Sequence, residues 1–186
     1  MVILALDQAT TTGYAVVAEN GRVVTSGVCK LADPKRTGES RGMRYIRFRR
    51  FLQDMLATCY DCGNIGMICH EQTLLRGGAA TEIANGLKAL ILESAAEAGV
   101  EVSCVHTTEL KHFATGNGRA EKSDMMNACL KLSGISPRDD NEADAVLIGL
   151  WASSRYGTFP APEWGNKKAP KRRKSKRGGD WLDSLL

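Results

Sequence analysis

Short apolar runs along the chain predict buried β-strands. The first run ends at a charged residue, Asp7, and two later runs flank Asn20-Gly21, a dipeptide typical of a two-residue hairpin turn. The strands predicted in this way cover residues 2–6, 14–18, 22–28, 65–69 and 100–105.

Longer stretches with apolar residues at helical spacing separate and follow these strands. In the first stretch Met43, Phe48 and Phe51 recur near helical spacing, with arginines between them. The predicted helices cover residues 40–58, 79–98, 107–113, 120–132 and 140–155.

The order of these elements predicts an α/β fold. Three antiparallel strands continued by two parallel strands through helical crossovers form a mixed five-stranded sheet with helices on both faces. Beyond Tyr156 the periodicity ends and Pro, Gly, Lys and Arg dominate. We therefore expect one domain over residues 1–156 and a flexible basic tail over residues 157–186.

Charge is divided unevenly between these two parts. The 186 residues carry 25 Lys+Arg and 21 Asp+Glu, a formal net charge of +4. Residues 1–165 hold 17 basic and 19 acidic side chains (−2), whereas residues 166–186 hold 8 basic and 2 acidic ones (+6). The whole positive balance therefore belongs to the tail.

The compartment follows from what the apolar runs lack. None approaches the ~20 residues that span a bilayer, so no membrane association is expected, and the N-terminus lacks the basic start of a signal peptide. A cytoplasmic protein is expected, with a nuclear location open if the source is eukaryotic.

Six cysteines raise the question of a zinc or redox site. Cys59 and Cys62 form a CxxC pair, with Cys69 and His70 further along. Neighbours in a strand point to opposite faces, so Cys69 and His70 cannot bind one ion together. Free thiols are the expected state.

Three acidic residues fall where such a sheet would bring them together. Asp7 and Glu71 follow two strands, and Asp144 lies early in the last helix. Ligands of open α/β sheets collect outside the carboxyl ends of the strands, and oxygen-only donors suit Mg²⁺ or Mn²⁺. Two such ions could promote hydrolysis of a phosphodiester.

Helical geometry refines the last acidic group. At 100° per residue, Asp140 and Asn141 lie about 40° and 60° from Asp144, on one face. Glu142 lies about 200° away, so it is expected to face solvent or an interface. The alternative for Asp140 is that it and Asp139 only cap the helix.

Four motifs resemble those of RuvC-type Holliday-junction resolvases, which are nucleases of the RNase H-like superfamily. The resemblance covers about residues 2–155, and the divergence looks more like the phage and phage-derived branch of the family than the cellular one. It implies a bacterial or phage-infected cell as the source. The motifs are Ile3-Leu-Ala-Leu-Asp7-Gln-Ala-Thr-Thr-Thr-Gly13-Tyr-Ala, His70-Glu71-Gln72, the lysine-bearing stretch Leu110-Lys111-His-Phe-Ala-Thr-Gly116-Asn-Gly-Arg-Ala-Glu-Lys122, and Asn141-Glu-Ala-Asp144-Ala.

The resemblance implies a homodimeric endonuclease that nicks branched DNA with two Mg²⁺ ions per site, for which Mn²⁺ substitutes. Asp7 would bridge both ions, and Glu71 and Asp144 would each hold one. Lys111 and Lys122, with Arg119 between them in the same stretch, would face the scissile phosphate or its neighbours. Water would be the nucleophile, leaving 5′-phosphate and 3′-hydroxyl ends.

Two departures from the family pattern matter. Asn141 stands where the family has Asp or His, and a neutral amide cannot act as a base, so whether Asp140 supplies the fourth carboxylate stays open. Leu74 and Leu75 stand where cellular relatives carry an aromatic wedge, so junction opening would use aliphatic contacts.

Two basic segments are candidates for DNA binding. One segment, which includes the start of the first predicted helix, is either a solvated face or a phosphate-binding ridge; its arginines are Arg36, Arg41, Arg44, Arg47, Arg49 and Arg50. Lys171, Arg172 and Arg173 belong to a basic tail that binds nucleic acid or acts as a nuclear-import signal. Residues 180–186 resemble a short peptide that docks on a protein partner, with a frayed end as the alternative.

Three other functions compete with a junction nuclease. A nuclease of structured RNA and a catalytically silent junction-binding protein would use the same fold. A sugar kinase would match the opening residues 6–12, but such enzymes need two lobes and several hundred residues. For a homodimer, the helices at 79–98 and 140–155 are the candidate interfaces.

Overall fold

The computed structural model describes residues 1–32, 38–72 and 78–166. The strands are β1 (Val2–Asp7), β2 (Thr11–Ala18), β3 (Val23–Lys30), β4 (Ile65–Glu71) and β5 (Glu101–Val105). The helices are α1 (Gly42–Ala57), α2 (Ala79–Ala98), α3 (Thr107–Thr115), α4 (Lys122–Ser133) and α5 (Asp140–Tyr156), followed by a short 3₁₀ helix, Glu163–Asn166.

The sheet has the order β3-β2-β1-β4-β5 and confirms the predicted mixed topology. β1 lies at the centre, antiparallel to β2 and parallel to β4, and β5 continues the sheet in parallel. Since β1 and β4 run side by side in the same direction, their carboxyl ends meet at one edge of the sheet.

Helices cover both faces of the sheet, as the apolar run Val2–Leu6 of β1 requires. Ile3 and Ala5 face α3, α4 and α5, whereas Leu4 and Leu6 face Phe48 of α1 and the apolar side of α2. Alternating side chains of a strand point to opposite faces, so a strand buried on both sides is a continuous apolar run.

Helix α5 packs against the sheet and is the most deeply buried of the five α-helices that the structure describes. Its residues 145–152 are all buried, packed on β1, β2 and β3 and on α4. This buried stretch offers no face to a partner, so the prediction of a dimer interface on α5 is not supported there; the last two residues of the helix, Arg155 and Tyr156, are exposed. Helix α2 keeps an exposed side, on which Leu92 is 48% exposed.

The chain does not leave the domain at residue 157 as the sequence suggested. The backbone N–H groups of Thr158 and Phe159 donate to the carbonyl of Glu19, at 2.8 and 3.2 Å, and Phe159 packs against the core. The indole N–H of Trp164 donates to the carbonyl of Phe113 at 3.0 Å. Residues 157–164, here named the C-terminal strap, are anchored because the aromatic residues supply apolar surface that a search for periodicity overlooks.

Two expectations about composition can be compared with the fold. All six cysteines are free, and Cys69 is buried in the core. Across the described ranges, no helix has the length and apolar character needed to cross a membrane.

Candidate active site

The structure brings the three predicted carboxylates to one edge of the sheet. Asp7 ends β1 and Glu71 ends β4, and the register of Leu6 beside His70 places the two acids next to each other. Asp144 approaches from the second turn of α5. All three are only partly accessible, so the edge is a half-buried acidic site.

A missing side chain lets α5 reach this edge. A Cβ atom added to Gly13, which pairs with Asp7 across the hairpin, would lie 1.9 Å from the carbonyl oxygen of Asn141. That separation is far below any van der Waals contact. Glycine at position 13 is therefore required for the first turn of α5 to sit on β2 beside Asp7.

Burial and mutual repulsion disfavour the charges of this site. The pKa of Asp7 lies well above its ordinary value, first because burial removes water and then because of the charges of Glu71, Asp144 and Asp140. The pKa of Asp144 is raised to about 7 by burial and by Glu71 and Asp140, and Lys111 and Lys122 offset part of that effect.

Side chains that the sequence did not single out hold Glu71 in place. The hydroxyl of Thr107, the first residue of α3, donates to Glu71 Oε1. The amide of Gln8 donates to the Glu71 carbonyl at 2.6 Å and lies 3.3 Å from His70 Nδ1. Positions next to the motif acids are the signal that could have identified Gln8 and His70, whereas nothing local points to Thr107.

The two lysines of the third motif lie beside the acidic edge. Lys111 Nζ donates to the carbonyl of Ala120 at 2.7 Å, which fixes it between α3 and the loop that follows. Lys122 pairs with the carboxylate of Asp140 although its own side chain is 84% exposed. This pair raises the pKa of Lys122 and lowers that of Asp140. Arg119 is exposed on the same loop.

Asp139 and Asp140, at the start of α5, have different roles. Asp139 is the N-cap, and its carboxylate accepts from the N–H of Glu142 at 2.9 Å. Asp140 instead pairs with Lys122, so the capping alternative holds for Asp139 and not for Asp140. Asn141 is half-buried, with its backbone against Gly13.

Glu142 corrects the expectation from helical geometry. It is 3% exposed rather than solvent-facing, and it accepts hydrogen bonds from Ser26 Oγ at 2.7 Å and from the N–H of Arg138 at 2.8 Å. The expectation was wrong because the angle about the helix axis places Glu142 away from Asp144, but that side is covered by β3.

The arginines of α1 divide into engaged and exposed side chains. Arg47 donates to the carbonyl of Leu31 at 2.7 Å and pairs with Glu39, and Arg49 pairs with Glu93. Arg44 is half-buried. Arg41 and Arg50 are exposed, so they offer the more accessible charges of this helix.

Several predicted residues lie outside the part of the chain that the structure describes. They are Arg36, Leu74, Leu75, Lys171, Arg172, Arg173 and residues 180–186.

The donor set suits a hard cation, although its side chains are not arranged around one. Asp144 Oδ1 is buried and has no hydrogen-bond partner among the described residues. In the same ranges, no group of three or more Asp, Glu, His or Cys side chains has the arrangement of a metal site. Two of the carboxylates are instead engaged by neighbouring side chains: Thr107 donates to Glu71, and Lys122 pairs with Asp140. Carboxylate oxygens in a half-buried setting are donors that Mg²⁺ and Mn²⁺ accept.

Comparison with known proteins gives one family. No protein-family model matches the chain. The crossover junction endodeoxyribonuclease RuvC of Anaeromyxobacter dehalogenans strain 2CP-C is 30% identical over 173 residues, covering 91% of this chain and 89% of the relative. RuvC of Syntrophomonas wolfei is 28% identical over 155 residues, covering 81% and 87%.

Solved structures agree with the sequence relatives. Thermus thermophilus RuvC is 25% identical, with a TM-score of 0.66 over 83% of this chain and 95% of that one. The structure of T. thermophilus RuvC in complex with a Holliday junction substrate is 24% identical, with a TM-score of 0.67 over 80% and 90%. Together with the acidic edge between β1, β4 and α5, these matches establish that the chain belongs to the RuvC family of crossover junction endodeoxyribonucleases.

Proposed function

We propose that this chain is a metal-dependent endonuclease that nicks Holliday junctions and related branched DNA. The observation that carries the proposal is the crowding of Asp7, Glu71, Asp144 and Asp140 at one half-buried sheet edge, where burial first and mutual repulsion second raise the pKa values of Asp7 and Asp144. Carboxylates this close together destabilise the fold when no cation is bound, and the same arrangement is suited to binding cations. The family relatives and the T. thermophilus complex with a Holliday junction substrate supply the substrate class.

Two Mg²⁺ ions per site would be held by these carboxylates, with Mn²⁺ as a substitute. Asp7, Glu71 and Asp144 would hold these ions, and Asp140 rather than Asn141 would add the fourth carboxylate. Ions bound there would stabilise the charge on the attacking and leaving oxygens and activate a water for attack on phosphorus.

The protein's own side chains would prepare this chemistry. Thr107 fixes the orientation of Glu71, and the Gln8 amide ties the ends of β1 and β4 together. Lys122, exposed at the rim, would exchange its contact with Asp140 for a phosphate oxygen of DNA. Lys111 stays between α3 and the following loop, where its charge would neutralise the phosphate beside the scissile one.

Affinity for DNA would come from outside the acidic edge, because carboxylates repel phosphates. Arg119 on the loop after α3 and the basic residues of the tail, Lys171, Arg172 and Arg173 among them, are the proposed backbone contacts. Arg44 and Arg47 are weaker candidates, since the structure already engages Arg47 with Glu39 and Leu31. Leu74 and Leu75 would contact the bases at the junction centre.

A homodimer would place two such sites on opposing strands of a junction with twofold symmetry. The exposed side of α2, which includes Leu92, is the proposed interface, because the middle of the other candidate helix, α5, is buried within the domain. Paired nicks made during one binding event would follow from this arrangement.

The test is cleavage of an end-labelled four-way junction by the purified full chain in Mg²⁺. We expect symmetric nicks with religatable ends, a loss of at least about 100-fold in rate for Asp7→Asn, and junction binding within about threefold of the parent. Asp54→Asn, an exposed acid on α1 at the far end of the domain, is the matched control and should nick normally.

Each alternative function has its own signature in this assay. Binding without nicking in Mg²⁺ or Mn²⁺ would identify a silent junction-binding protein and overturn the proposal. Preferred cleavage of structured RNA would move the substrate class to RNA.

A further inference from the structure

Glu142 makes contacts in which none of the carboxylates of the acidic edge takes part. It is 3% exposed, and its two carboxylate oxygens bind different parts of the fold. Oε1 accepts from Ser26 Oγ of β3 at 2.7 Å, and Oε2 accepts from the backbone N–H of Arg138 at 2.8 Å. The guanidinium Nε of Arg138 lies 3.8 Å from Oε2.

A carboxylate this deeply buried is costly unless its oxygens are satisfied. The contacts meet that condition from two directions, since one comes from the edge strand of the sheet and the other from the turn that leads into α5. In addition, the N–H of Glu142 is bound by the N-cap Asp139 at 2.9 Å. The first turn of α5 is therefore fixed to the sheet as well as to its own cap.

That turn carries the acids of the site. Asp140 and Asn141 belong to it, Asp144 follows one turn later, and on the opposite side the Asn141 carbonyl presses on Gly13 of β2. A small rotation or shift of this turn would move Asp140 and Asp144 together relative to Asp7, which is rigidly held in the central strand.

We propose that Glu142 is a positioning residue for the nuclease site: through Ser26 it sets the position of the α5 carboxylates relative to those of β1 and β4. The inference rests on the proposed function, because positioning is defined here by metal binding and strand cleavage. Glu142 itself lies away from Asp144 around the helix and would touch neither metal nor DNA.

A helix cap is the competing explanation. Glu142 is the third helical residue, where glutamate often reaches back to the start of its own helix in a capping box. Its bond to Arg138 N–H, one residue before the N-cap Asp139, closes the start of the helix in a similar way. The bond to Ser26 does not, since Ser26 is 116 residues away in sequence on the far edge of the sheet. Ser26→Ala therefore separates the two explanations while leaving the cap intact.

The experiment compares Ser26→Ala and Glu142→Gln with Ser103→Ala in the full chain. Ser103 is the matched control, a strand serine whose hydroxyl lies 2.8 Å from the Tyr156 hydroxyl, on β5 and away from α5's first turn. Three quantities are measured: Mn²⁺ affinity by calorimetry without DNA, amide hydrogen exchange of residues 139–144, and junction nicking across a range of Mg²⁺ concentrations.

We expect Mn²⁺ affinity to fall about tenfold in Glu142→Gln, at the lower end of the range found for residues that orient metal ligands. The loss should be smaller in Ser26→Ala, about threefold, because Glu142 and its bond to Arg138 N–H are kept. Amides 139–144 should exchange faster in both variants, and raised Mg²⁺ should restore most of the nicking. Ser103→Ala should match the parent throughout.

Unchanged Mn²⁺ affinity and unchanged exchange in Ser26→Ala would overturn the inference and leave Glu142 as a cap. If Glu142→Gln does not fold, Ser26→Ala still decides. If the parent neither binds Mn²⁺ nor nicks junctions, the proposed function fails instead, and the exchange of the first turn alone reports on the contact between Glu142 and Ser26.

Discussion

At the scale of single residues, Asp144 is an acid whose charge the fold disfavours. Burial and the charges of Glu71 and Asp140 raise its pKa to about 7, whereas in the unfolded chain it would titrate near 4. The neutral form therefore stabilises the fold. That contribution is complete below about pH 4 and is lost as the pH rises through about 7, with an upper limit of about 4 kcal/mol.

Asp144→Asn should therefore stabilise the metal-free protein at pH 8 by several degrees in Tm and have little effect at pH 4. The amide keeps the shape of the neutral acid without its ionisation. Differential scanning calorimetry in a chelator checks this, with Asp54→Asn as the control. A larger gain at pH 4 than at pH 8 would contradict the sign of the linkage. The same substitution should abolish nicking, so stability and function are opposed at this residue.

The fourth carboxylate is a second question at this scale. The charge of Asp140 reaches both Asp7 and Asp144 strongly enough to raise their pKa values, while Asn141 contributes its backbone to the contact with Gly13. Asp140 is therefore the better candidate for a metal ligand.

We expect Asp140→Asn to reduce the nicking rate at least about tenfold and Asn141→Ala to change it less than about threefold, at equal junction binding. Single-turnover kinetics at saturating enzyme measure both rates. The reverse ranking would assign the role to the Asn141 amide. Asp140→Asn removes both a metal ligand and the partner of Lys122. Lys122→Ala removes only the contact between the two side chains and keeps the Asp140 carboxylate, so comparing the two variants separates these effects.

At the scale of elements, the contact between β2 and α5 is the tightest constraint on the site. Gly13 and Asn141 meet backbone to backbone, so neither partner can move aside by changing a rotamer. The helix must shift if a side chain is added.

Gly13→Ala should lower the stability by more than about 2 kcal/mol and reduce nicking in the fraction that folds. Denaturant unfolding and junction cleavage are the measurements. Gly66→Ala is the matched control, since its added Cβ would meet only the Met1 side chain at 3.5 Å in a strand. Equal stability of the two variants would show that α5 approaches β2 less closely than described.

Elements and their order could largely be predicted from the sequence, because apolar runs and helical spacing are local signals. The helix at 79–98 has the predicted bounds. The fourth strand extends to Glu71 because its pairing with β5 continues to Val105, a partner that a local pattern does not reveal. Ser26 and Glu142 could not be paired in advance, since their contact depends on the final packing of α5 over β3.

At the scale of the whole molecule, the C-terminal strap determines where on the domain the basic sequence begins. The C-terminal strap holds Trp164 against α3, where its ring also lies 5.1 Å from Lys131 Nζ and touches the helix end at Gly116. The basic sequence therefore starts from the helix that carries Lys111, and not from the end of α5. Within residues 167–177 there are eight Lys+Arg and no acids.

Two truncations test this arrangement. Removal of residues 167–186 should weaken junction binding and flatten its salt dependence, while stability and cleavage at saturating enzyme are retained. Removal of residues 157–186 should in addition lower the stability by about 2–4 kcal/mol, because Phe159 and Trp164 are lost. Titrations at several salt concentrations and thermal unfolding measure both. Equal stability of the two truncated chains would mean that the strap contacts contribute nothing.

The scattering of the acids along the chain has a consequence for biosynthesis. Asp7 and Glu71 emerge early from the ribosome, but Asp144 arrives only with α5, whose apolar residues must close over β1 and β2 before the edge is complete. Nascent or prematurely terminated chains that lack α5 would expose the sheet and bear an incomplete set of carboxylates. The ability to cut DNA would therefore be acquired only when α5 has docked and the fold is complete.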